Sequence, residues 1–286
     1  MNLLVALIES IRLRQWVKNG VVFAPLIFSV AFFDTQLVLR SIEAFIVLCL
    51  LSSSVYLVND IWDRKDDRRH PTKQARPIAS GRLPLPIAAC VAGIFLVAGL
   101  IGAWFIHPTT LSMALVFIGI NAWYSLGGKR IPILDVVLIG ASFVARVLVG
   151  ATAIFVPASP WLLLTLFFLA SYLGFSKRAG ELRLPKREQR SALSVYTSQF
   201  LDHARSATLS VTLALYALYT FASPFGSLMA VTVPFVFFGL MRYQAIMDAD
   251  NGSNDGPSDH VYQDRQLQLT IVLWCIAVLS VIFLTR

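Results

Sequence analysis

Charge is scarce in this chain. Only 14% of its 286 residues are Asp, Glu, Lys or Arg, against 57% hydrophobic, and the mean hydropathy is +0.69. That balance excludes a soluble enzyme and predicts a membrane protein. Metal-binding side chains are scarce as well. The three cysteines, Cys49, Cys90 and Cys275, each lie inside an apolar run without ligand spacing, which predicts core packing. The four histidines, His70, His107, His203 and His260, are scattered and form no HExxH pattern, so a zinc centre is not expected. No secretory-type cleavage site and no nucleic-acid-binding motif is recognisable. The chain is therefore expected to insert through its own first spanning segments and, despite a net charge of +8, not to bind nucleic acid.

The charge that is present sits between apolar runs. Runs near the ~20 residues that a bilayer crossing takes occur at about 17–33, 41–63, 85–106, 109–126, 132–154, 160–180, 199–221, 224–246 and 266–285. They predict an all-α, polytopic membrane protein with nine transmembrane helices. With the N-terminus in the cytoplasm, twenty of the 24 lysines and arginines fall on the cytoplasmic side. Arg40 and Arg286 fall on the other side, and Arg146 and Arg205 fall in mid-span. The asymmetry predicts an N-in/C-out protein of the cell membrane with its working face in the cytoplasm. At about 1–15, Leu3, Leu4, Leu7, Ile8 and Ile11 share one side, as in a short interfacial helix. No second domain is visible, so residues 1–286 read as a single transmembrane domain. Asp248 to Asp264 is rich in Gly, Asn and Asp and reads either as a flap or as a plain connector.

The densest polar stretch runs from Tyr56 to Pro84. At helical spacing Asp60, Asp63 and Asp67 fall within roughly 60° of one another, whereas Asp66 points elsewhere. Like charges this close repel unless a cation lies between them, and hard oxygen donors suit Mg²⁺. Arg68, Arg69, His70, Lys73, Arg76 and Arg82 follow. Acids for a metal and then bases for anions suit a diphosphate or sugar-phosphate substrate. The plainer reading, a charged helix end, accounts for the bases but not for acids in helical register at the edge of hydrocarbon.

Further polar residues mark the same side. Tyr124 and Lys129 close the fourth span and Asp135 opens the next, although Tyr124 also reads as an ordinary interfacial aromatic. Arg146 lies in mid-span, where a guanidinium needs a partner or a wet cavity, and it reads as lining an anion pocket. Lys177 and Glu181, at i and i+4, read either as a simple helix ion pair or as ligands for phosphate and metal. Arg242 and Arg265 flank the 248–264 segment and would add bases to the same mouth.

Asn59-Asp60-x-x-Asp63-x-x-x-Asp67, followed by His70-Pro71-Thr72-Lys73 and Arg76-Pro77-Ile78, resembles the first signature of the UbiA-type intramembrane prenyltransferases. Arg14-Gln15-Trp16-Val17-Lys18-Asn19, Tyr124 with Lys129, Asp135, Arg146, Lys177-Arg178-x-x-Glu181-Leu182, Tyr196-Thr197-Ser198, Arg242-Tyr243 and Asp264-Arg265 extend the likeness. Together they resemble the decaprenyl-phosphate phosphoribosyltransferase branch of that superfamily. The resemblance implies nine helices around a lateral, lipid-open cavity. It implies Mg²⁺ on Asp60, Asp63 and Asp67 with Asn59 assisting. It also implies transfer of phosphoribose from phosphoribosyl pyrophosphate to a polyprenyl phosphate, with release of pyrophosphate. Lys18, Lys73, Arg76, Tyr124, Lys129, Asp135, Arg146, Lys177, Glu181, Arg242 and Arg265 would bind the substrates, and a homo-oligomer is left open.

One departure from the superfamily pattern is informative. Aromatic prenyltransferases carry a second motif, DxxxD, where this chain has Lys177 and Glu181, which argues against a second full metal site. Prenyl transfer to an aromatic acceptor is the nearest rival. A lipid-phosphate transporter or flippase is the rival from another class, but it needs no aspartates in metal register, and inverted repeats are not evident. A lipid phosphate is already ionised at neutral pH, so its attack needs no general base, in keeping with a chain lacking a Ser/His/Asp set.

Overall fold

The computed structural model describes residues 3–183, 193, 195–249 and 263–285, and the regular structure among them is helical throughout. In chain order the α-helices are α1 (Leu3–Ile11), α2 (Ala24–Phe28), α3 (Thr35–Trp62), α4 (Arg64–Asp67), α5 (Leu85–Ile106), α6 (Pro108–Leu126), α7 (Leu134–Ala153), α8 (Pro160–Leu182), α9 (Ser198–Ala222), α10 (Val233–Ala249) and α11 (Arg265–Leu284). Local chemistry starts several of them. Asp34, Thr197 and Asp264 each accept a hydrogen bond from a first-turn amide of α3, α9 and α11, while α6 and α8 begin on Pro108 and Pro160, where a missing N–H costs nothing.

Among the described residues seven helices are long and apolar enough to cross a membrane: α3, α5, α6, α7, α8, α11 and the run Gly226–Ala249 that ends in α10. This is a multi-pass membrane protein. Its outward faces carry Trp104, Phe105, Phe221 and Leu284, the last 80% exposed, as a protein solvated by hydrocarbon requires. α9 has the length, 25 residues, but Asp202, His203 and Arg205 in its first turns dilute its apolarity. The first expected span, 17–33, is not one helix. It is a 3₁₀ run (Leu13–Phe23), the five-residue α2 and a further 3₁₀ turn (Ala31–Phe33), with Val30 left-handed between the last two. Pro25 lies in the first turn of α2, so its nitrogen donates no hydrogen bond back into the preceding 3₁₀ run.

The described chain forms two compact units. The first runs to Gly128 and includes Ala141–Ala158; the second is Lys129–Gly140 together with the chain from Ser159. Val47, Leu48, Leu51, Phe117 and Val149 centre the first unit's main core. Two glycines there allow close approach. A Cβ on Gly99 would meet Leu51 Cδ2 at 2.6 Å, and one on Gly150 would meet the Val22 carbonyl at 2.1 Å, so α7 packs directly against the 3₁₀ run. A smaller cluster of Ala6, Leu57, Ile78, Leu83, Ala88 and Ala92 lies under the polar stretch and fastens it to α1, α3 and α5. In the second unit Tyr172, Leu209, Leu240 and Tyr243 form one core, and Val136, Phe175, Tyr196 and Leu201 form another.

Candidate active site

In the first unit the chain after α3 does not float in solvent. Ile78, Ala79 and Leu83 are buried, Arg68 Nε donates to the Ala79 carbonyl at 2.8 Å, and Arg82 bonds the Ala75 carbonyl and pairs with Glu9 of α1. A folded loop of this kind holds its charges in place. α3 ends at Trp62, yet Asp63 N bonds Asn59 O and Asp67 N bonds Asp63 O, both at 2.8 Å, so helical register carries through into α4.

That register buries Asp60 (3% exposed) and Asp67 (4%), leaves Asn59 and Asp63 half-buried, and turns Asp66 outward. The two buried acids converge on one atom. Arg76 Nη1 lies 3.1 Å from Asp60 Oδ1 and 2.8 Å from Asp67 Oδ2, and Arg12 Nη2 reaches the same Asp60 oxygen at 2.5 Å. Two buried anionic oxygens aimed at a single positive atom are a hard donor pair, and in that sense the site fits Mg²⁺. The full ridge expected from the sequence is not gathered, however. Among the described residues no group of three or more His, Cys, Asp or Glu side chains is placed to hold a metal, and arginines face the two buried acids. Burial also pushes the Asp67 carboxyl above its ordinary range, against the pull of Arg76.

Deeper in the same unit, Arg146 is 5% exposed. Its Nε donates to Asn19 Oδ1 at 2.9 Å, its Nη1 to Ser142 O and Oγ at 3.0 and 2.8 Å, and its guanidinium lies over the Phe117 and Phe143 rings. Every one of these partners is neutral. Asn19 is held in turn by Ser52 and Cys49, so Arg146 is a fixed buried cation with no carboxylate paired to it among the described residues. Lys18, Lys73 and Tyr124 are half-buried in this unit.

The second unit treats its charges differently. Arg178 is 1% exposed and clamps two buried acids, Asp135 Oδ2 at 2.6 Å through Nε and Glu181 Oε2 at 2.7 Å through Nη1. Tyr196 donates to Asp135 Oδ1 at 3.0 Å and accepts from the Ile133 amide, whose residue sits at φ +69, a conformation a β-branched side chain avoids. Burial pushes the Tyr196 phenol up to about 12. Lys129 and Lys177 are half-buried beside this network in sequence, at positions flanking Asp135 and Arg178. Arg242 pairs with Asp264 at 2.7 Å, and the hydrogen bond from Arg242 holds the Asp264 carboxyl below its ordinary range. Arg265 is exposed, and most of the 248–264 segment lies outside the described residues.

Residues 21–262 match the model of the UbiA prenyltransferase family. The chain belongs to that family. It is 34% identical to the decaprenyl-phosphate phosphoribosyltransferase of Mycobacterium tuberculosis, over 96% of this chain and 93% of that one. It is 32% identical to the protein of the same name from Mycolicibacterium smegmatis, over 96% and 91%. The fold is that of a UbiA homologue of Archaeoglobus fulgidus whose structure holds GPP and Mg²⁺, with a TM-score of 0.72 at 17% identity over 97% of this chain and 99% of that one. For this UbiA-family chain, sequence reasoning missed Arg12, Ser142, Arg178 and Tyr196 as members of buried polar networks. Arg178 was legible, since it stands three residues before Glu181 on one helix face. Arg12 was not, because nothing in a sequence announces a contact 48 residues away.

Proposed function

We propose that this chain is a membrane phosphoribosyltransferase that moves 5-phosphoribose from phosphoribosyl pyrophosphate to a decaprenyl-like polyprenyl phosphate and releases pyrophosphate. The observation that carries this reading is the near end-to-end similarity to relatives bearing that activity in their name. The geometry supports it from two directions. Asp60 and Asp67, with Asp63 and Asn59 beside them, would hold Mg²⁺. Bound there, Mg²⁺ would neutralise the diphosphate and make it a better leaving group. Arg146, a buried cation held only by neutral groups, is suited to complete its charge balance with a phosphate oxygen.

The remaining roles follow from charge and reach. Arg76, Lys73, Lys18, Lys129, Lys177, Arg242 and Arg265 supply cations for the phosphates of donor and acceptor, and Tyr124 supplies a hydroxyl. Attack at the anomeric carbon comes from a lipid phosphate oxygen that is already ionised. A base is therefore unnecessary, and Tyr196, its phenol pushed up to about 12, stays protonated and cannot act as one. The family match runs through both compact units, which supports reading residues 1–286 as one UbiA-type domain with an interfacial α1. The segment 13–33 and α9 would add two crossings to the seven, giving nine with the N-terminus inside and the site facing the cytoplasm. The charge asymmetry of the loops supports that threading.

Purified protein given radiolabelled phosphoribosyl pyrophosphate, Mg²⁺ and a polyprenyl phosphate should yield a labelled lipid and pyrophosphate, while a polyprenyl diphosphate with 4-hydroxybenzoate should yield nothing. Prenylation of the aromatic acceptor without transfer from phosphoribosyl pyrophosphate would overturn the reading.

A further inference from the structure

Two arginines of different origin hold the buried acids of the first unit. Arg76 lies in the same polar stretch as the aspartates and serves both of them. Arg12 arrives from the end of α1 and serves Asp60 alone. Its backbone is left-handed, at φ 58 and ψ 54, which non-glycine residues avoid and which persists only where surrounding contacts enforce it. Its guanidinium meets the Asp60 carboxylate at 2.5 Å and lies over the Tyr56 ring, 5.1 Å from the centroid. Arg12 retains 27% of its side-chain exposure while Asp60 retains 3%, so the acid is fixed and the base has water to retreat into.

A divalent ion binds a carboxylate oxygen at about 2.1 Å and brings further oxygen ligands with it. Asp60 Oδ1 already receives Arg12 and Arg76. A guanidinium at 2.5 Å and a dication on the same oxygen repel each other and compete for the same lone pairs. α1 itself does not depend on this contact, because Ala6 is buried in the Leu57–Ile78–Leu83 cluster and Glu9 pairs with Arg82.

Resting on the metal reading above, we propose that Arg12 is a displaceable counter-ion of Asp60. It neutralises the carboxylate in the metal-free protein and leaves it when a divalent ion binds. By linkage the two ligands of Asp60 oppose each other, so whatever Arg12 contributes to the metal-free fold it subtracts from metal affinity. Arg12 is thus a positioning residue that sets how tightly the site takes its metal.

The test uses the full-length protein in detergent, with Mn²⁺ alone as the probe, its binding read by the electron paramagnetic resonance of free Mn²⁺ and its melting temperature followed in EDTA. Relative to wild type, Arg12→Ala should melt lower in EDTA and bind Mn²⁺ about tenfold more tightly, the size expected when a close charge pair is uncoupled. Arg12→Lys, which keeps the charge and loses the fork, should fall between them and covers the case in which the alanine variant does not fold. In an Asp60→Asn background the Arg12 substitution should leave Mn²⁺ affinity unchanged. Wild type binding Mn²⁺ while both Arg12 variants bind it equally or more weakly overturns the proposal and leaves the metal reading standing. If neither wild type nor the Arg12 variants bind Mn²⁺, the metal reading falls and the proposal with it.

Discussion

The two units use the same residue types to opposite ends. Around Asp60 and Asp67 the acids are buried and their arginine partners are about a quarter exposed; around Asp135 and Glu181 the acids and Arg178 alike are sealed. A cation that keeps about a quarter of its exposure can be exchanged for another at modest cost. A fully buried one cannot leave without stranding two charges in low dielectric. The first arrangement is built to trade partners, and the second to stay closed. Arg146 adds to the contrast, since it brings the first unit a buried positive charge balanced by neutral groups alone.

The sharpest way to break this comparison is to remove the acids of the first unit one at a time. Asp60→Ala or Asp67→Ala should lower turnover about a hundred- to a thousandfold, as loss of a group that stabilises developing charge does, while the protein still inserts and folds. Asp66→Ala, on the exposed side, should keep most activity. Equal loss at all three positions, measured by lipid labelling, would undo the assignment of the buried face.

Next in size is the sealed cluster. Arg178→Ala strands Asp135 and Glu181 and should cost about 3–5 kcal/mol of stability, the range for breaking a buried pair from one side. Thermal melting of detergent-purified protein checks it. A variant that melts like wild type but turns over slowly would move Arg178 from the scaffold to the substrate.

Tyr196→Phe removes one donor from Asp135 and the acceptor that holds the Ile133 amide in its left-handed turn, and should cost about 1–3 kcal/mol. Hydrogen exchange at Ile133 should quicken. The smallest effect belongs to the Arg242–Asp264 pair, which lies in partly solvated surroundings. The folded carboxyl titrates below its unfolded value, so its contribution is present above the unfolded pKa and fades as the pH falls through the folded one. Asp264→Asn should therefore melt slightly below wild type at neutral pH, and the gap should close on acidification. A gap that widened instead would contradict the sign. Asp67 runs the other way, because a carboxyl raised by burial favours the fold at acid pH and loses that contribution as the pH rises through its folded pKa.

By itself the sequence determined the class of protein, the apolar helices and the acidic face. A run of apolar side chains near the thickness of a bilayer has few alternatives, and Asp60 and Asp67 share a face because seven residues make nearly two turns. What the sequence did not show at 17–33 is the backbone form, a 3₁₀ run, the short α2 and a further 3₁₀ turn in place of one helix. Hydropathy sees only the apolar content, while the backbone there is 3₁₀ and lies against Gly150. Which cation faces which acid was decided by the tertiary structure alone. Lys177 was as good a partner for Glu181 as Arg178 by spacing, yet Arg178 also reaches Asp135 on another helix, and a fork with donors on two sides can satisfy both. Arg12 and Asn19 likewise acquire their roles only when the chain folds back 48 and 127 residues, since long-range pairing leaves no period to read in the sequence.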